Sequence, residues 1–201
     1  MIPLQKPKAL WISTLSLGVL AGAALILPLQ IPAKGDPMPP LVTSLLLAAL
    51  IGLLVWLTQP WRVAIRGARG DISISMAIDV AAMLLFHPHI AALGSAAGTA
   101  FYHLVGVPFT RQVPREQRVP RALIRGVVTF AAVALGSWAA RIIRPAPGPI
   151  VFTADWLAIF AGISIRLLIR IIFYPLGMAA LREGPVWAYL KREWERLPLV
   201  P

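Results

Sequence analysis

The sequence predicts an all-α, polytopic integral membrane protein of about six transmembrane helices, closed by a C-terminal amphipathic interfacial helix. Three observations lead there. Hydrophobic residues make up 58% of the 201-residue chain and charged ones 13%, with a mean hydropathy of +0.77, a balance foreign to soluble domains. Apolar runs long enough to cross a hydrocarbon core of about 30 Å recur along the whole length. The basic residues collect in alternate connections, as the positive-inside rule requires.

Taken in order, the predicted membrane helices cover residues 10–31, 41–57, 72–86, 90–107, 122–143 and 156–180. Proline and glycine punctuate them: "IPAKGDPMPP" follows the first, "QPWRVAIRGARGD" the second and "RPAPGPIVFTAD" the fifth. The first helix follows Lys6 and Lys8, as a signal peptide would. Its apolar run is longer than such a segment needs, and no cleavage site follows. Residues 1–183 therefore read as one transmembrane domain, with residues 184–201 as a segment on the cytoplasmic side.

Six helices with an inside start sort the charges. Lys6, Lys8, Arg62, Arg66, Arg69, Arg111, Arg115, Arg118, Arg121, Arg125, Arg182, Lys191, Arg192 and Arg196 fall inside, fourteen of the nineteen basic residues. Lys34, Arg141 and Arg144 fall outside. Both termini are thus expected in the cytoplasm, and the compartment expected is the bacterial inner membrane. The same rule accounts for the net charge of +11 without a nucleic-acid partner. The seven tryptophans all lie near a predicted interface, where amphipathic rings are favoured.

Within "EGPVWAYLKREWERLPLVP", Val186, Trp187, Leu190, Trp194 and Leu197 recur at helical spacing among charged residues. Such a helix rests in the inner interface or docks a protein partner, with Trp187, Leu190 and Trp194 as its contact face.

The three histidines sit together in "HPHIAALGSAAGTAFYH". A continuous helix would hold His89 and His103 about 21 Å apart, too far for one metal. His87 and His89 alone lack the ligand count of a metal site, so none is expected, and the chain has no cysteine to add a thiolate ligand. Between them, Gly94 and Gly98 share a helical face with Ser95 and Thr99, and Gly18 and Gly22 repeat the spacing in the first helix. Small residues at this interval allow a neighbouring helix to approach closely.

Asp79 is the acidic residue inside a predicted helix, and Arg166 and Arg170 lie one turn apart in the sixth. Intramembrane charge is costly unless paired or hydrated, which makes these three residues candidates for a ligand site or an ion pair. Depths counted along the helices match Asp79 with Arg170, leaving Arg166 to snorkel. Two arginines against one carboxylate would leave a positive charge that suits an anionic small molecule. No cofactor is indicated. Glycine-rich phosphate loops, HExxH helices and the serine–histidine motif of an intramembrane protease are missing from the sequence, so no enzymatic activity is expected.

The run "GDISISMAIDVAAMLLFHPHIAALGSAAGTAFYHLVG" resembles the membrane sensor segment ahead of HD-GYP-type signalling domains in bacteria. It has a serine-rich helix start, an acidic residue in an apolar run, a proline turn and a small-residue helix. "IRLLIRIIFYPLGMAALREGPVWAYLKREWERLP" is similar to that family's closing section, although "FYPLG" stands where a polar amide is common. This resemblance implies a non-catalytic sensory or regulatory module, either stand-alone or part of a longer protein, and carries no phosphodiesterase activity, because no HD motif is present. The chain is also similar in architecture to the substrate-binding component of energy-coupling-factor transporters. That implies an uptake component whose first-helix residues Gly18, Ala21 and Gly22 would face a coupling partner. An accessory subunit of a larger membrane complex, docked through the basic loops and the terminal helix, is the third expectation.

Overall fold

The computed structural model describes residues 18–19, 21–22, 24, 26, 39–64, 71–105, 115–144, 152–182 and 186–195. From residue 39 onward it is built of α1 (Leu41–Thr58), a ribbon of β1 (Arg62–Ala64) and β2 (Asp71–Ser73), α2 (Ile74–Leu85), α3 (Pro88–Val105), α4 (Arg115–Ile143), α5 (Phe152–Arg182) and α6 (Val186–Glu195). The all-α expectation is met, apart from the three-residue strands, which pair antiparallel with Val63 opposite Ile72. The sequence reading treated this stretch as a break between helices. Branched Val63 and Ile72 and the intervening glycines were its only strand signals.

Among the described residues, three stretches are long and apolar enough to cross a membrane: Leu41–Thr58, Arg118–Ile143 and Asp155–Ala179. The six predicted helices therefore do not all meet that standard. The first lies largely outside the described residues. The third is α2, whose twelve residues span only about 18 Å. The fourth, α3, has the length, but His89, Ser95, Thr99 and His103 dilute its apolar character.

Helices α1, α3, α4 and α5 pack in that order, each against the next, and α2 touches all four. In α4 the seven consecutive residues Ala131 to Ser137 are all buried. Seven residues make nearly two full turns, so α4 is enclosed on every side at that level. Five of the seven are small (Ala131, Ala132, Ala134, Gly136 and Ser137), which lets neighbours close in around the larger Val133 and Leu135. α4 also begins at Arg115, earlier than predicted, and contains Pro120. One turn from the start, that proline sacrifices only the bond to the carbonyl of residue 116.

The contact between α1 and α3 is a backbone crossing. A Cβ added at Gly94 would stand 2.7 Å from the Ala48 carbonyl oxygen, and one at Gly98 would collide with the Gly52 carbonyl oxygen. Gly52 in turn faces the Gly94 carbonyl oxygen at 3.1 Å from its own notional Cβ. The neighbour of the Gly94/Gly98 face is thus α1 of the same chain. Beside the crossing, the Trp56 and Phe101 rings meet edge to face at 5.4 Å. Gly18 and Gly22 differ: among the described residues nothing comes within 4 Å of a Cβ placed on either, and Gly18 is exposed. Spacing alone cannot tell an engaged glycine face from an open one.

Gly98→Ala is expected to force α1 and α3 apart and to destabilise the protein by about 1–3 kcal/mol, the usual range for overpacking. Thermal unfolding followed by tryptophan fluorescence checks this; an unchanged transition would mean that the crossing is looser than described.

Candidate functional site

Short as it is, α2 is held along its length by polar ties. At its start, the Ser73 and Ser75 hydroxyls lie 2.7 Å apart, and Ser75 donates to the Gln59 side-chain oxygen just beyond α1. One turn further, Asp79 projects into the bundle and Arg166 of α5 donates to it through Nη2. At the far end, Ser137 Oγ donates to the Met83 carbonyl at 2.8 Å and Arg141 Nη2 to the Phe86 carbonyl at 3.0 Å. Terminal carbonyls of a helix have no intrahelical donor. Ser137 and Arg141, one turn apart on α4, supply that donor to two of them.

Arg166 reaches Asp79 because α5 approaches closely there. A Cβ on Gly136 of α4 would stand 2.8 Å from the Gly162 carbonyl oxygen, 2.9 Å from Met83 sulfur and 3.4 Å from Arg166 Cβ. Gly162 and Arg166 are one turn apart and share the inward face of α5 with Ile169, which is also buried. Arg170 is exposed. The pairing of Asp79 with Arg170, and the snorkelling of Arg166, are therefore replaced by the opposite arrangement. Depth counted along a helix sets axial position only. It is the 3.6-residue repeat, read against Gly162 and Ile169, that decides which arginine faces inward.

Asp79 is 3% exposed and Arg166 5%. Their bond uses one carboxylate oxygen and one guanidinium nitrogen. Asp79 Oδ1 and Arg166 Nε and Nη1 are buried with no hydrogen-bond partner. A buried ion pair offsets its desolvation only when its remaining lone pairs and protons are satisfied. This pair thus presents an acceptor and donors side by side to a small polar molecule, water included. Because Arg170 lies outside the pair, the buried charges balance.

Elsewhere, the His87 and His89 rings stack at 5.4 Å. Among the described residues no three histidine, aspartate or glutamate side chains converge on a metal position. In α6, which packs on α5, Trp187 is 74% exposed and Leu190 half-buried, while the Trp194 side chain lies outside the described part. Ser137, Arg141, Gly136 and Gly162 were missed in the sequence. A serine and an arginine one turn apart in an otherwise apolar run were the signal for the first two.

Asp79→Asn or Arg166→Leu alone, each leaving a buried group without its counter-charge, is expected to cost about 3–5 kcal/mol of stability, and the double change Asp79→Leu with Arg166→Met less than the sum. Arg170→Gln, at an exposed position, is expected to cost below about 1 kcal/mol. Denaturant unfolding of the four variants decides; equal losses at Arg166 and Arg170 would contradict the assignment. No protein-family model matches the chain, and no curated protein or solved structure matches it either.

Proposed function

We propose that the protein is a polytopic, multi-pass protein of the bacterial inner membrane and a non-catalytic sensory or regulatory module, whose signal acts at Asp79 and Arg166. The membrane part of this reading is supported by the three apolar spans and by the outer surface of α1, where Leu41, Leu45, Leu46, Leu50, Leu53 and Leu57 are each about half exposed or more. A surface of that kind is poorly suited to water and well suited to lipid.

The sensory part rests on one observation: a buried ion pair with three unpartnered polar atoms, joining α5 to a short helix that also touches α1, α3 and α4. Whatever completes the bonding of that pair changes the energy of α2 against α1, α3, α4 and α5 together. A charge-balanced pair takes a neutral or zwitterionic molecule, bearing both a donor for Asp79 Oδ1 and an acceptor for the arginine, at lower electrostatic cost than an anion. This shifts the expected ligand away from the anionic class that two inward arginines would have favoured. The terminal helix α6, packed on α5 next in sequence to Arg166's own helix, is the element that would pass the change to the cytoplasmic side.

Native mass spectrometry of the protein extracted gently from its own membrane tests the reading. A retained small molecule that is lost in Asp79→Asn and kept in Arg170→Gln is expected. Copurification with ATPase subunits would instead make the protein an uptake component, and a bound molecule indifferent to Asp79 would remove the site. Because the chain has no cysteine, single cysteines report topology directly. Lys8→Cys and Lys191→Cys are expected to label from the cytoplasmic side, and Lys34→Cys and His89→Cys from the outside. Any reversal overturns the six-span arrangement.

A further inference from the structure

Ser95 of α3 is fully enclosed, at 0% exposure, and its Oγ has no hydrogen-bond partner among the described residues. A serine inside a helix commonly donates back to the carbonyl one turn earlier, yet this hydroxyl does not. A buried hydroxyl left unsatisfied is costly and calls for a cause.

The helical repeat of about 100° per residue fixes where Ser95 lies on α3. Gly94 and Gly98 face α1, and on the other flank Ala100 faces α4, its Cβ 3.3 Å from a Cβ built on Gly126. Ser95 falls in the arc between those flanks with Ala91, Ala92 and Thr99, all of them buried. Leu93, Phe101 and Leu104 occupy the opposite arc and are exposed. Of the described helices, α2 is the one that touches α1, α3 and α4 together, so it covers the buried arc. α2 ends at Leu85 and α3 begins at Pro88. Counted from that turn, Asp79 lies about 9 Å along α2 and Ser95 about 10 Å along α3, which sets them at one level.

Face and level together place Ser95 beside the Asp79–Arg166 pair. Asp79 Oδ1 and Ser95 Oγ are not bonded to each other, so a molecule that satisfies both must bridge them. The three residues then offer two accepting oxygens and the N–H groups of Arg166 Nε and Nη1. A primary carboxamide carries the complement on adjacent atoms, two N–H donors and a carbonyl with two lone pairs. It is also neutral, which suits a pair whose charges already balance.

We infer that Ser95 is the third binding residue of the Asp79–Arg166 site, and that the site takes a small neutral molecule bearing a primary amide, its N–H groups on Asp79 and Ser95 and its carbonyl on Arg166. The inference rests on the sensory reading above and names the class of molecule that the site reads.

Its test uses acetamide as the probe and the full chain in phosphatidylcholine vesicles. With carbon-13 aspartate incorporated, the infrared carboxylate band missing from Asp79→Asn reports the bonding of Asp79 directly. Acetamide is expected to move that band saturably, and N,N-dimethylacetamide, which has no N–H, and zwitterionic glycine to leave it in place. Ser95→Ala is expected to weaken the acetamide response about fivefold, the worth of one neutral hydrogen bond. Without acetamide, the same variant is expected to unfold at or above the wild-type temperature, because it removes an unsatisfied group.

A wild-type band indifferent to acetamide, or moved equally by glycine, overturns the amide assignment. A Ser95→Ala variant that is less stable than wild type, or that responds to acetamide as wild type does, removes Ser95 from the site. If Arg166→Leu leaves the Asp79 band unmoved, the ion pair itself is wrong and the sensory reading falls with it; a band that moves there keeps that reading apart from any failure of the amide or of Ser95.

Discussion

The arrangement of the helices depends on how α2 is kept in the middle of the bundle. Twelve residues cannot supply much packing area, and α2 is held by bonds that its neighbours direct at its polar groups. Arg166 takes Asp79, and Ser137 and Arg141 take the carbonyls of Met83 and Phe86. Each of these groups would be costly if buried alone. Their costs are met only in one position of α2 relative to α4 and α5, so the same bonds that satisfy the helix also specify its register. Glycine makes that register reachable: with any larger residue at Gly136, Met83 and the α5 backbone would be pushed away, and Arg166 with them.

Two kinds of contact thus divide the work. Between α1 and α3 the helices meet backbone to backbone through Gly52, Gly94 and Gly98, with no charged group at the crossing. Around α2 the contacts are polar. Dispersion over a close crossing is insensitive to small changes in charge or bonding, whereas a polar network in a low dielectric responds strongly to one added or removed bond. The α1–α3 pair therefore acts as fixed scaffold, and the surroundings of Asp79 as the part whose energy a small molecule can alter.

Much of the fold was legible because helix formation in a chain this apolar is governed by hydropathy, and hydropathy is written locally. The bounds of α1, α3 and α5 follow the predicted ones within a few residues. The ribbon of β1 and β2 was not legible, since three-residue strands have no periodicity to read. The site was legible in its members and not in its pairing. Asp79 and Arg166 are conspicuous as charges in apolar runs, but which arginine turns inward depends on Gly136 and Gly162, which lie in two different helices. Gly94 and Gly98 likewise announced a close neighbour without naming α1, and Gly18 and Gly22 carry the same spacing with no described partner.

That pairing also alters the functional argument. With both arginines inward, the site would carry excess positive charge and select its ligand by sign. With Arg170 outside, the buried charges cancel, and on the proposed reading selection would pass to geometry: a ligand would have to place a donor and an acceptor at the spacing of Asp79 Oδ1 and the Arg166 nitrogens.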